Sequence, residues 1–418
     1  MLTQHTPPPY CDTSTQVCTV PAPVTAPGSY DDANIAATIA EAVSLGYTVV
    51  EFPSGTYKIT SSIQLRYTET DLRIRGAGIG STIIEPEILA IAPFTTAPFF
   101  PMFNVDGPNK TVLRLEISGF TLEMDALASH PAYLDSTVTT GNAHGVRVGN
   151  GWAFSDPDGW MLIKDLRIEG APGYGVGIQT RDTTPPYDEP ADNVTLENVQ
   201  IFRTGSDGVD VKEGNDASGN RVSPKNMTLR GVSVDTFGLN EKDQNRLNTA
   251  ANAFDIRANG VYAEKITAIG TGNVTAAHSV DLSEPGSFRN TTTNNGLNFR
   301  NTTRVGSDRS GSLGYIHDLY VKGTNNAINF GNEANENVMI NNFILEEYSG
   351  SGINIRGSKH IIEHGCILPG SGGSSSFINY VSMEHDLASL DIDDVHTGSY
   401  DPNICPAYAE VGADAFVE

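Results

Sequence analysis

Gly208-Val209-Asp210-Val211-Lys212 and, 45 positions on, Ala253-Phe254-Asp255-Ile256-Arg257 are one pattern written twice: a small residue, then apolar residues alternating with polar ones. The signature recurs at Gly145-Val-Arg-Val148, Gly175-Val-Gly-Ile178, Gly296-Leu-Asn-Phe299, Ala327-Ile-Asn-Phe330 and Gly352-Ile-Asn-Ile355. Such alternation marks a strand with one buried face. A second series interleaves with the first: Asp165-Leu-Arg-Ile168, Asn198-Val-Gln-Ile201, Gly231-Val-Ser-Val234, Lys265-Ile-Thr-Ala268, Asp318-Leu-Tyr-Val321 and Asn342-Phe-Ile-Leu345. Asp165, Asn198, Gly231 and Lys265 lie 33, 33 and 34 positions apart. A fixed period of this length marks a solenoid. Two short strands per repeat, with Gly and Asn at the corners and no helical period between them, predict a coiled all-β solenoid. A propeller blade would need four strands in about 40–45 residues.

Outward from this core, residues 1–30 are rich in Pro, Thr and Ser and read as an extended N-terminal arm or linker. From Asp31 the period turns helical, with Ile35, Ile39, Ala42 and Val43 on one face and Gly46 as the stop. That helix is expected to cap the open end of the coil, which otherwise presents unpaired backbone groups. The coil is expected over 31–358 and a C-terminal cap over 359–418.

The 418 residues carry a net charge of −24, leaving no cationic excess to neutralise phosphates, so nucleic acid is excluded as a partner. An acidic glycan would need a local basic patch set against that field. No apolar run of about 18 residues is present, so no membrane span is expected. The sequence from Met1 has neither the basic nor the apolar region of a secretory signal. The four cysteines lie near the ends; Cys11 and Cys18 could close a small loop, in an oxidising compartment, and Cys366 and Cys405 are left open.

The repeats, together with Val49-Val-Glu-Phe-Pro-Ser-Gly-Thr-Tyr-Lys-Ile-Thr-Ser-Ser-Ile63 and Leu72-Arg-Ile-Arg-Gly-Ala-Gly78, resemble the single-stranded right-handed parallel β-helix proteins of the pectate-lyase-like superfamily, over roughly residues 30–360. That superfamily includes polysaccharide lyases, hydrolases and epimerases, and bacteriophage tailspikes. The resemblance implies a right-handed coil. With the Pro-rich arm and the missing secretory signal, it suggests a tailspike-like receptor-binding protein of a virion. Such a protein would be a homotrimer that binds, and in some cases depolymerises, a bacterial surface polysaccharide, with the arm docking on phage particle proteins. An extracellular lyase, hydrolase or epimerase is the alternative, and a non-catalytic structural fibre the third. Neither the Arg-x-Pro-x-x-Arg run of pectate lyases, the Asn-Thr-Asp motif of polygalacturonases nor the Asp-Pro-His motif of alginate epimerases is present, so no family's catalytic residues carry over.

Site residues must therefore come from the columns formed when equivalent strands stack at about 4.8 Å. One outward column reads Arg147, Gly177, Asp210, Asp255, Asn298, Asn329, Asn354, and the next includes Lys212, Arg257 and Arg300. Asp210 over Asp255, flanked by Lys212, Arg257 and Arg300, predicts two carboxyls that cannot both ionise freely. In a hydrolase one would be the general acid, with a separation of about 5–5.5 Å indicating retention and a wider gap inversion. In a lyase the cations would stabilise an enolate, with Lys212, Arg257 or His278 as base. Asn298 and Glu213 complete the candidate substrate face. Arg181–Asn193, Thr236–Asn252 and Gly270–Asn295 read as insertions around it, and Trp152 and Trp160 as a protruding aromatic glycan platform. No cofactor is expected. Asp156-Pro-Asp158-Gly and Ser206-Asp-Gly-Val-Asp210 offer oxygen ligands to Ca2+, without an EF-hand spacing.

Overall fold

The computed structural model describes residues 10–65, 71–89, 99–105, 114–131, 143–149, 159–179, 191–212, 214–215, 221–222, 224–239, 251–270, 280–282, 286–293, 297–299, 314–323, 327–330, 338–348, 350–355, 360–370, 377–380, 391–411 and 413. These residues are almost all strand and turn, gathered in one sheet of 17 strands and another of 11. In the 11-stranded sheet every neighbour is parallel and every strand belongs to the next turn of the coil. The order runs Ile63–Gln64, Phe103–Val105, Val146–Val148, Val176–Gln179, Val209–Lys212, Phe254–Ile256, Val280–Leu282, Leu297–Phe299, Ile328–Phe330, Ile353–Ile355, Ile378–Tyr380. The small residue that opens each repeat has a packing cause. A Cβ on Gly145, Gly175, Gly208 or Gly352 would stand 2.4–2.6 Å from Ile168, Ile201, Val234 or Ile367 of the opposite sheet. At Ala253 the opposing register position falls to Ala268, which leaves room for a methyl.

The other sheet turns a corner inside its strands. Trp160–Glu169, Val194–Phe202 and Lys225–Asp235 each bury apolar residues on both sides of one left-handed residue, and the alternation resets there: Ile163 and Leu166 both point inward, as do Leu196 and Val199. The corner residues are Asp165 (φ 49°), Asn198 (φ 52°), Gly231 (φ 61°), Lys265 (φ 53°), Asp318 (φ 55°) and Asn342 (φ 54°), the first residues of the 33-residue series. Asn, Asp and Gly tolerate this conformation best. Their amides also bond along the column, Asn198 Nδ2 to Asp165 Oδ1 and Asn342 Nδ2 to Asp318 Oδ1, both at 2.6 Å.

The Asp32–Leu45 helix buries Ile35, Thr38, Ile39 and Ala42 and ends at Gly46 (φ 70°). It lies on the first coil. Asp31 accepts the Lys58 amide at 2.8 Å, and Asp32 accepts the Thr60 and Ser61 amides. Part of the stretch read as an arm is built into that coil. Val17–Thr19 pairs with Val49–Phe52, and Cys11 is disulfide-bonded to the buried Cys18. At the other end the parallel ladders run on past 358 through Ile361–Pro369 and Asp391–Thr397, and a second disulfide joins Cys366 to Cys405. No helix among the described residues is long and apolar enough to cross a membrane.

The corner column makes a graded prediction. Asn198→Gly should leave the urea midpoint almost unchanged. Asn198→Val, β-branched in a left-handed position and without the amide bond to Asp165, should cost about 1–2 kcal/mol. Equal midpoints for the two variants would contradict the corner assignment.

Candidate functional site

Three columns of the 11-stranded sheet converge on one place. The residue just before each small residue gives a turn column: His144, Tyr174, Asp207, Asn252, linked coil to coil by bonds such as Gly145 N to the Tyr174 carbonyl and Gly208 N to the Asn252 carbonyl. Beside it runs the first outward column, in which Gly177, Asp210 and Asp255 are register partners. The third holds Lys212 and Arg257. Asp207, Asp210 and Asp255 all lie under the surface, with carboxylate oxygens within 4.8 Å of one another.

The structure therefore brings together Asp210, Asp255, Lys212 and Arg257, and adds Asp207, Tyr174 and His144. It also corrects the column. Asn298 is not the neighbour of Asp255, because the Val280–Leu282 strand lies between them and Asp281 is the register partner of both. The stretch 270–295 is thus more than an insertion: Val280–Leu282 and Gly286–Thr293 are strands of a further coil. Trp160 is no loop residue either; it opens a long strand, in register with Arg114. Trp152, His278, Arg300 and Glu213 lie outside the described residues, and Asn298 is placed by its backbone alone.

Lys212 and Arg257 are not free cations. Each binds the aspartate two residues before it: Arg257 holds Asp255 through Nε at 3.2 Å and Nη2 at 2.6 Å, and Lys212 Nζ stands 3.1 Å from Asp210 Oδ2. Lys212 Nζ also donates to Tyr174 Oη at 2.7 Å. The Tyr174 ring stacks on His144, with centroids 4.8 Å apart and planes 3° from parallel, and the Tyr174 amide donates to His144 Nδ1 at 3.0 Å. Asp207 accepts the Asn252 amide at 2.5 Å.

Burial, then the charge of Asp210, pushes the Asp207 carboxyl up to about 8. Burial likewise raises Asp210 to about 7; Lys212 opposes the rise and Asp255 adds to it. For Lys212 burial works against the ammonium, but Asp210 and the Tyr174 hydroxyl outweigh it and hold its proton more tightly than usual. Burial, then Arg147 and Lys212, drives His144 down to about 3, so its imidazole stays neutral. The donor set suits protons better than a metal ion, because an ammonium and a guanidinium already bind two of the three carboxylates. In a second acidic group, Glu123, Asp125 and Glu169, the last two are likewise tied to Arg203 and Arg167.

No family model and no curated protein matches the chain. Among solved structures, the catalytic domain of a GH87 alpha-1,3-glucanase variant in complex with tetrasaccharides aligns at a TM-score of 0.45 and 13% identity, over 97% of this chain and 68% of that one. Geobacillus virus E2 ORF18 aligns at 0.38 and 12%, over 92% and 60%. The N-terminal fragment of bacteriophage phi29 gene product 12 aligns at 0.40 and 12%, over 88% and 64%. At this level of similarity the chemistry has to be read from the chain's own residues.

Two carboxyls with raised pKa values tie stability to pH. The stability they contribute is fully present below about pH 4, where the unfolded aspartates are also protonated, and is lost as pH rises through about 7 and about 8. Each proton retained only in the folded state is worth about 1.4 kcal/mol per pH unit. Urea unfolding between pH 5 and pH 8 should therefore show wild type losing stability more steeply than Asp207→Asn. Parallel slopes would mean that the buried acids titrate normally.

Proposed function

We propose that the chain is a tailspike-like protein that binds a bacterial surface polysaccharide and hydrolyses it at the Asp207, Asp210 and Asp255 cluster. The observation that carries the chemistry is the pairing of environments. Burial raises Asp207 to about 8 and Asp210 to about 7, while Asp255 is bound through both oxygens by Arg257. A carboxyl that keeps its proton to higher pH, set beside one paired with a guanidinium, is an arrangement suited to a general acid working alongside a nucleophile or base. Once substrate binding uncovers the buried carboxyls, Asp210, in line with Asp255, would deliver its proton to the glycosidic oxygen as the C–O bond breaks. Asp255 would meet the oxocarbenium carbon, and water would release the sugar after returning a proton to Asp210. The oxygens lie within 4.8 Å of one another, closer than the gap that leaves room for a water between two carboxyls, so the reading takes double displacement with retention.

The tailspike part rests on the sequence resemblance: a right-handed parallel β-helix, trimeric, carried on a virion through its N-terminal residues. β-Elimination is the weaker chemistry here, since Lys212, a candidate base, holds its proton more tightly than a free lysine.

The test is incubation with a panel of bacterial capsular and exopolysaccharides. New reducing ends should appear without ultraviolet-absorbing unsaturated ends, and proton NMR of the first product should show the anomeric configuration of the substrate. Asp210→Asn should lower the rate by at least about 100-fold while leaving polysaccharide binding intact. Unsaturated products, or undiminished cleavage by Asp210→Asn, would overturn the reading.

A further inference from the structure

Asp210 has no exposed surface, and its Oδ1 meets no hydrogen-bond donor. Its Oδ2 faces the Lys212 ammonium at 3.1 Å, but off the direction a hydrogen bond requires. A buried carboxyl with so little support owes its state to whatever holds that one cation in place. Lys212 is partly exposed, at 34% of its side chain, on a flexible stem that would otherwise swing to water. What fixes it is the preceding coil. Tyr174 Oη takes one of its three protons at 2.7 Å. The Tyr174 ring lies flat on His144, and its amide bond to Nδ1 leaves the imidazole proton on Nε2, where no partner meets it. Gly177 supplies the space, since a Cβ there would come within 3.3 Å of Tyr174 Cδ2.

We infer that Lys212 is a positioning residue, fixed by the Tyr174–His144 stack so that a single cation touches the buried acid and sets the pH at which Asp210 gives up its proton. The inference rests on the reading of Asp210 as the acid. The other charged groups around Asp210 are spoken for. Asp207, on the turn before it, is bound to the Asn252 amide, and Asp255, on the next coil, is neutralised by Arg257. On the coils before it, Tyr174 is a phenol whose pKa burial raises further, and His144 is held neutral by burial and by Arg147 nearby. A charged imidazole behind Tyr174 would add a further cation; the buried neutral ring leaves Lys212 as the cation in contact with Asp210.

The test uses the full chain without any glycan. Infrared difference spectra against pH follow the protonated-carboxyl band of the coupled Asp207–Asp210 pair, which titrates as a unit. Removing a cation this close should move the titration up by about 1–3 pH units in Lys212→Met, with circular dichroism unchanged. Lys212→Arg, which keeps the charge, should restore it to within about half a unit. If Lys212→Met does not fold, Lys212→Gln, which keeps a donor for Tyr174 Oη without the charge, takes its place with the same expectation. An unshifted band in a folded uncharged variant overturns the inference. A shifted band with no cleavage of any polysaccharide leaves Lys212 in its role and removes the hydrolase reading instead. Where cleavage is found, the alkaline limb of its pH profile should follow the band upward, because activity ends as Asp210 loses its proton.

Discussion

Everything in this chain depends on the coils turning at the same point. Asp165, Asn198, Gly231, Lys265, Asp318 and Asn342 each adopt a left-handed conformation that most residues avoid, and each sits above its equivalent in the previous or following coil. A residue added or lost within a strand, rather than in a connection, would move that strand's following side chains to the opposite face. The corner thus keeps Val209 and Val211 inward and Asp210 outward over coils of unequal length. Variation is confined to the connections, where 45 positions separate Asp210 from Asp255 and 26 separate Asp255 from Asp281.

In-register stacking turns sequence positions into columns, and columns concentrate chemistry. A polar residue repeated on successive coils stands about 4.8 Å from its copy. Where the repeated residue is asparagine, as at 298, 329 and 354, neighbouring positions carry no charge to separate. Where it is aspartate, both copies cannot be charged without a cation, and the fold answers with Lys212 and Arg257 two residues along the same strands. Burial then raises the pKa values of both Asp207 and Asp210. A local arrangement that costs stability as pH rises is the kind of strain that functional sites retain.

Much of this was legible in the sequence, because both signals are periodic. The small-apolar-x-apolar signature named nearly all of one sheet from residue 145 to 355, and the 33-residue series named the corners. The stack of Asp210 on Asp255 followed from aligning them. What stayed hidden did so for physical reasons. Ser279-Val280-Asp281-Leu282 carries the same signature, but its coil closes in 17 positions before Asn298, and a spacing so short reads as an insertion. Tyr174 and His144 precede the alternating run, so strand periodicity passes over them, and Asp207, legible only as an oxygen ligand within Ser206–Asp210, is not joined to the acid column, although each immediately precedes the glycine that opens a repeat. Tyr10 to Val20 looks like a linker by composition, yet the Cys11–Cys18 bond and pairing to Val49–Phe52 give it a core. The Cys366–Cys405 bond spans 39 positions with no periodic signal between them.

The most direct measurement of the central claim, that these acids form one column in the observed register, is covalent. Asp210→Cys with Asp255→Cys puts two thiols on adjacent coils, about 4.8 Å apart and within disulfide reach. Asp255→Cys with Asn298→Cys puts them two coils apart, at about twice that distance and beyond it. After mild oxidation, peptide mass spectrometry should find the 210–255 disulfide formed and the 255–298 disulfide absent. A 255–298 crosslink without a 210–255 crosslink would mean that the Val280–Leu282 coil does not intervene and that the acids do not stack as described.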